Sequence, residues 1–200
     1  MRKKSHLSLA VYLIDNMDSS LLINHRKAFL LGSILPDCRP SFVTTKHNME
    51  ETFDMVSDFI SQLTVDSHDY KRISTAYVRK LGEVTHYVAD YFTYPHNEVF
   101  DGNIKDHCIY EKNLKEALKS YINSDEIYIN KNLIDGFRKP EDICRLIKNL
   151  HAQYVSRRST VNNDCIYIVS MCHIIVGGIL KLLIENRNYG YINRLRPNVA

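Results

Sequence analysis

Apolar positions recur with a helical period along almost the whole chain. His6, Leu9, Ala10, Leu13 and Met17 follow an i, i+3, i+4 spacing, which predicts a first helix over about 5–17. A second starts at Ser19 or Asn24 and runs to Ile34. It ends before Pro36-Asp37, because the residue preceding a proline is driven out of the helical region. Cys38–Lys46 reads as a loop, 47–63 as a third helix, and the polar stretch Thr64–Asp69 as another loop. A long fourth helix covers 70–92, with Ile73, Tyr77, Leu81, Val84 and Val88 as its apolar stripe, and Pro95 stops it. A fifth covers 105–122, where His107, Glu111, Leu114 and Leu118 fall on one line. After a loop over 123–138, Pro140-Glu141-Asp142 opens a sixth helix that runs to Val155. Val161–Glu185 forms a seventh, and the polar tail Asn186–Ala200 reads as irregular. The pattern predicts an all-α fold, a compact multi-helix bundle. Residues 1–200 form a single domain with no internal repeat and no linker.

Composition agrees with long helices. Gly and Pro number only 7 and 5 in 200 residues, about half their usual share. The balance of 26 basic against 23 acidic residues gives a net charge of +3, which excludes the strong basic bias of a nucleic-acid binder. The 5 cysteines are odd in number and include no CxxC pair, so neither a disulfide framework nor a zinc ribbon is indicated. Residues 2–14 run basic then apolar, but Asp15 and Asp18 follow directly and no small-x-small cleavage site appears. The segment reads as a helix rather than a secretory signal, and the expected location is cytoplasmic. Ile166–Leu183 is the longest apolar run; Ser170, His173, Lys181 and two glycines within it favour a buried core helix over a transmembrane segment.

The 9 histidines change the picture. His47/Glu51, His86/Asp90 and His107/Glu111 each place an imidazole and a carboxylate four residues apart, on one helix face. Chance alone supplies about one such pair at this composition, so the spacing by itself is weak. Placement adds weight. His6 heads the apolar stripe of the first helix, and His107 and Glu111 head that of the fifth, so they are expected to face the interior, where ionisable groups need a partner or a metal. Beside His86 and Asp90 stand Gly82, Ala89 and Thr93, small residues that leave room for ions and a substrate, or for close packing of another helix. His25, His151 and His173 read as surface or satisfied core positions, and Tyr87, Tyr91, Phe92 and Tyr94 as core or as cleft wall. His68-Asp69 forms the dipeptide of helical HD-type phosphohydrolases but falls in a polar loop.

The ordered set His6, Asp37, His47, His86, Asp90, His96, His107, Glu111 resembles the zinc-dependent phospholipase C family. The resemblance lies in "SHLSLAVYL", "AFLLGSILPD", "KHNMEETF", "LGEVTHYVADYFTYPHN" and "HCIYEKNL", with the spacing His-x3-Asp-x5-His followed by His-x3-Glu. It covers residues 5–112. It implies the all-α fold shared by the phospholipase C and P1 nuclease types, and two or three zinc ions as cofactors. Asp37, His47, His86 and Asp90 would hold one ion, and His96, His107 and Glu111 a second. His6 and Asp90 would contribute to a third, with Asp90 bridging. Imidazoles and carboxylates suit zinc at about 2.0–2.2 Å. The implied reaction is attack of a metal-bound hydroxide on phosphorus, with the ions clamping the phosphate oxygens. Asp37 would be both a ligand and the catalytic group that orients or deprotonates the water.

Secreted members of that family complete the third site with an N-terminal tryptophan, and this chain has no Trp. The choline-cleaving members set aromatic residues where Cys38 and Thr44 stand here, so a cage for a quaternary ammonium is not indicated. The expected partner is a phosphoester substrate, with a phospholipid among the candidates and no nucleic acid. The alternative is a non-catalytic metal-binding relative that acts as a structural or interaction module. A nuclease-like phosphodiesterase is disfavoured by the lack of a basic and aromatic stripe.

Overall fold

The computed structural model describes residues 1–40, 46–64 and 74–195, with side chains described up to residue 186. Among the described residues the chain is all helix and turn, with no strand. The helices are α1 (Lys3–Asn16), α2 (Ser20–Asn24), α3 (Arg26–Ile34), α4 (Met49–Thr64), α5 (Thr75–Tyr91), α6 (Ile104–Tyr121), α7 (Lys131–Gly136), α8 (Pro140–Val155) and α9 (Val161–Leu195). Short 3-10 turns at Pro36–Cys38 and Tyr94–His96 carry the chain out of α3 and α5.

Capping side chains start several of these helices. The Ser19 hydroxyl accepts from the Leu22 amide at α2, and the Asn103 side chain accepts from Lys105 and Asp106 at α6. Asp106 in turn accepts from the Asn103 amide, which closes a capping box. The expected second helix is two pieces, α2 and α3, separated at His25. The expected loop at 123–138 contains α7, which is too short to show a period but is capped by Asn130. The expected irregular tail is helical to Leu195. Extending an existing helix gains one hydrogen bond per residue fixed, so a polar continuation follows at little cost. Thr64, expected to open a loop, is the last residue of α4; the rest of that expected loop, with its His68-Asp69 dipeptide, and the first turn of the expected fourth helix lie outside the described residues.

α9 is long and apolar enough over Val161–Asn186 to cross a membrane by length and composition. It packs against α4, α5, α6, α7 and α8 and buries Ile168, Val169, Cys172, Ile175, Val176 and Ile179 among them. It packs as a core helix, as its interrupted apolar run suggested.

α5 is buried on every side from Leu81 to Tyr91, which explains how it carries both an apolar stripe and a polar one. Its closest crossing is with α3, at Gly32 and Gly82. A Cβ on Gly32 would strike the Arg79 carbonyl and lie 3.0 Å from Gly82 Cα, while one on Gly82 would strike the Phe29 carbonyl. The small residues of α5 therefore serve helix packing and do not open room for a substrate. Thr93 likewise returns its hydroxyl to the Ala89 carbonyl at 3.0 Å.

Candidate metal centre

Six separate segments, α5 among them, bring ionisable groups together at one end of α5. α1 supplies His6, the Pro36–Cys38 turn supplies Asp37, and His47 stands just ahead of α4. α5 supplies His86 and Asp90, the Tyr94–His96 turn supplies His96, and α6 supplies His107 and Glu111. All eight residues chosen from the sequence converge here. Their donor atoms fall into three groups, each within 4.8 Å: His6, Asp37 and His86; His47, His86 and Asp90; and His96, His107 and Glu111. The third His-x3-acid pair is different in kind. Glu51 accepts the Lys46 amide at 2.8 Å and acts as a local cap.

Asp90 is the hub, with no exposed surface. Its Oδ2 lies 3.2 Å from His86 Nε2, 3.3 Å from His47 Nδ1 and 3.7 Å from His96 Nδ1. Its Oδ1 lies 3.3 Å from His6 Nε2 and 2.8 Å from the amino nitrogen of Met1. Asp37 Oδ1 stands 3.6 Å from both His47 Nδ1 and His86 Nε2. Glu111 Oε1 lies 3.4 Å from His96 Nε2, 3.3 Å from His107 Nε2 and 3.1 Å from the Met1 amine. His6 and His86 stack with ring centroids 3.9 Å apart. His107 and Glu111 do not reach the interior as their stripe implied. They face a cleft, with side chains 34% and 16% exposed.

The Met1 amine is the group that reading the sequence missed. It is fully buried and also lies 2.6 Å from His96 Nε2. A signal for it existed in the spacing: α1 starts at Lys3, so the residue five before His6 lies little more than one turn above it.

The arrangement suits metal cations. His86 Nδ1 must donate to the Ser33 carbonyl at 2.9 Å, because that oxygen can only accept. This leaves the lone pair of Nε2 directed at His47, Asp90 and Asp37, as a backbone partner does for a metal-bound imidazole. Both ring nitrogens of His6 and Oδ2 of Asp90 are buried with no hydrogen-bond partner. Donors about 2.1 Å from a tetrahedral ion lie about 3.4 Å apart, the range seen between Asp90 Oδ2 and its neighbours. The residues fit zinc.

Protonation points the same way. Burial lowers the His6 pKa to about 3, with the charge on His86 adding to the effect, and burial lowers that of His96. Burial works to raise the Asp90 and Glu111 carboxyls, but the histidines and the Met1 ammonium around them win, and both lie well below the usual carboxylate range. Burial opposes a charge on the Met1 amine; Asp90 and Glu111 nevertheless raise its pKa. Neutral imidazoles beside ionised carboxylates are the forms that bind zinc.

A family model described as zinc dependent phospholipase C matches residues 5–160. The chain belongs to the zinc-dependent phospholipase C family. No curated protein and no solved structure matches it. Membership makes it a zinc-dependent hydrolase of the all-α phospholipase C type. The match reaches past residue 112, where the recognisable text ended, through the whole of α8.

α8 and α9 supply a second layer of support that the spacing of ligand-type residues did not reveal. The Asn97 amide donates to the Tyr91 and Thr93 carbonyls, and its oxygen accepts from His151 Nε2 at 2.7 Å. Asp164 accepts from the Tyr94 amide and from the hydroxyls of Tyr110, Tyr154 and Ser159. These two residues pin the turn that aims His96 at the centre. His151 is thus a satisfied core histidine, as expected. His173 is buried with its Nδ1 unpartnered. Tyr87, Tyr91, Phe92 and Tyr94 are core residues, Tyr87 edge-on to His47 and His86. Cys38 is exposed, while Thr44 lies outside the described residues.

Proposed function

We propose that this site holds three zinc ions and hydrolyses a phosphodiester of a phospholipid, within one domain. The observation that carries the reading is the division of Asp90: one oxygen turned to His47 and His86, the other to His6 and the Met1 amine. A single carboxylate placed in this way would bridge two ion positions. His47, His86, Asp90 and Asp37 would hold one ion, and His96, His107 and Glu111 a second. His6 and Asp90 Oδ1 would hold the third, where the Met1 amine, if free and once it has given up its proton, would take the place expected of a tryptophan. When bound, the ions supply an acidified water and positive charge to the phosphate oxygens.

The chain's own residues do the rest. Ser33 fixes the His86 ring, and the Asn97 and Asp164 networks fix His96, so the donors are preorganised before substrate arrives. Asp37 faces the cleft, and burial raises its carboxyl pKa, with His86 opposing. A basic carboxylate at that position can take a proton from the attacking water. The five cysteines are all free thiols, which supports a reducing, cytoplasmic location.

The test is metal content per chain together with hydrolysis of a generic phosphodiester and of phospholipid, with and without chelator. Bound zinc with chelator-sensitive turnover is expected. Full zinc occupancy without turnover on any phosphoester would defeat the enzyme reading in favour of a structural metal module. Absence of bound metal would defeat both.

A further inference from the structure

The centre opens into a cleft of about 990 Å³, and the mouth of that cleft carries charge that the metal positions do not use. Arg2, Lys3, Lys4, Lys46 and Lys115 line it, against Glu98 as the one acidic lining residue besides Asp37 and Glu111 among the described residues. Lys115 is paired with Glu116 at 2.6 Å. Lys3, Lys4 and Lys46 are exposed and form no ion pair among the described residues. Arg2 spends one guanidinium nitrogen on the Cys108 carbonyl at 3.0 Å, which ties the start of α1 to α6. Ile104, the first residue of α6, also lines the cleft and is 85% exposed, the most exposed large aliphatic side chain among the described residues.

Unpaired cations lining one cleft with an exposed aliphatic group are the chemistry of an interface with anionic lipid, where basic side chains meet headgroup phosphates and the apolar one enters the acyl boundary. We propose that this rim seats the cleft on an anionic phospholipid surface. Arg2, Lys3, Lys4 and Lys46 contact the headgroups, and Ile104 inserts beside them. Nucleic acid fits less well: no Phe, Tyr or Trp lines the cleft among the described residues to stack a base, and a phosphate backbone gives Ile104 nothing to bury against. The proposal rests on the phospholipid reading of the site, so its test reads binding apart from turnover.

The full chain, with chelator present to stop hydrolysis, is sedimented with vesicles of phosphatidylcholine alone and of phosphatidylcholine with anionic phosphatidylglycerol. Binding to the anionic vesicles, falling with salt, is expected. Each basic side chain near an anionic leaflet strengthens partitioning about fivefold, so K3Q/K4Q/K46Q is expected to lose about 100-fold. I104S is expected to lose about tenfold, and both variants should melt like the parent protein. Equal binding to both vesicle types, no binding to either, or anionic binding untouched by K3Q/K4Q/K46Q would overturn the proposal. Displacement by millimolar inorganic phosphate would reassign the rim to a soluble phosphate, and displacement by a single-stranded oligonucleotide would reassign it to nucleic acid; either overturns it. Metal-loaded protein that binds anionic vesicles yet hydrolyses no lipid would uphold the rim and defeat the hydrolase reading.

Discussion

The amino nitrogen of Met1 lies 2.8 Å from Oδ1 of Asp90, and neither group meets solvent. A buried ammonium and a buried carboxylate 89 positions apart in sequence are costly to desolvate, and they are held together by the packing of α1 on α5 and α6. The contact makes the centre sensitive to the chemical state of the chain's first residue.

Protein in which Met1 is preceded by further residues, or is N-acetylated, should therefore bind one fewer metal equivalent than protein with a free Met1 amine. An amide nitrogen carries no lone pair for a metal. Metal analysis beside intact-mass spectrometry checks this. Equal metal content in both forms would remove Met1 from the third site.

Asp90→Asn should cost at least one metal equivalent per chain, because one oxygen of the bridging pair becomes an amide donor. The loss in rate should exceed the ~10–100-fold typical of changes to residues that merely support a ligand. Unchanged metal content and turnover would mean the bridging assignment is wrong.

Metal-free protein should be most stable between about pH 6.5 and 8. Below that window, His6 and His96, whose pKa values are lowered on folding, bind protons more readily when unfolded, so stability falls as pH drops. The depressed Asp90 and Glu111 carboxyls withdraw their contribution further down, as pH falls through the carboxylate range. Above the window, the raised Met1 amine gives up its proton and that contribution is lost. Thermal melting across pH in the presence of chelator reads both limbs. A melting temperature that holds flat from pH 7 down to 5 would contradict the neutral, buried state of the histidines.

Asp164→Ala leaves the Tyr94 amide and three hydroxyls without their shared acceptor. The expected cost is about 3 kcal/mol, which in a chain of this length lowers the melting temperature by about 6–12 °C. The turn carrying His96 should loosen with it, so zinc affinity falls although Asp164 touches no metal. A change within ±1 °C would show that water replaces the carboxylate.

Gly82→Ala should destabilise by about 1–3 kcal/mol, since its new Cβ would collide with the Phe29 carbonyl and α3 and α5 must separate. Thermal melting measures it. A neutral effect would mean the helices slide apart without loss.

Much of this was legible in the chain itself. The 3.6-residue period, the few glycines and prolines, and the ligand-type residues in their order determined an all-α domain and a zinc phospholipase C signature. These are local properties of spacing and residue chemistry. Where local signal was short or flat, the reading erred: α7 is too brief to show a period, and the polar end of α9 is helical because the helix before it is already formed. What only the tertiary structure decided is set by contacts between distant segments. The stripe that placed His107 and Glu111 inside could not say that the helix ends at a cleft. Gly82 was compatible with room for a substrate or with a closely packed helix, and only the position of α3 against it decides for packing. The Met1 amine, the Ser33 carbonyl behind His86 and the Asp164 hub behind His96 have no spacing rule to reveal them. They are backbone groups and common side chains that acquire a role only when packing excludes water and leaves each buried polar atom to find its partner.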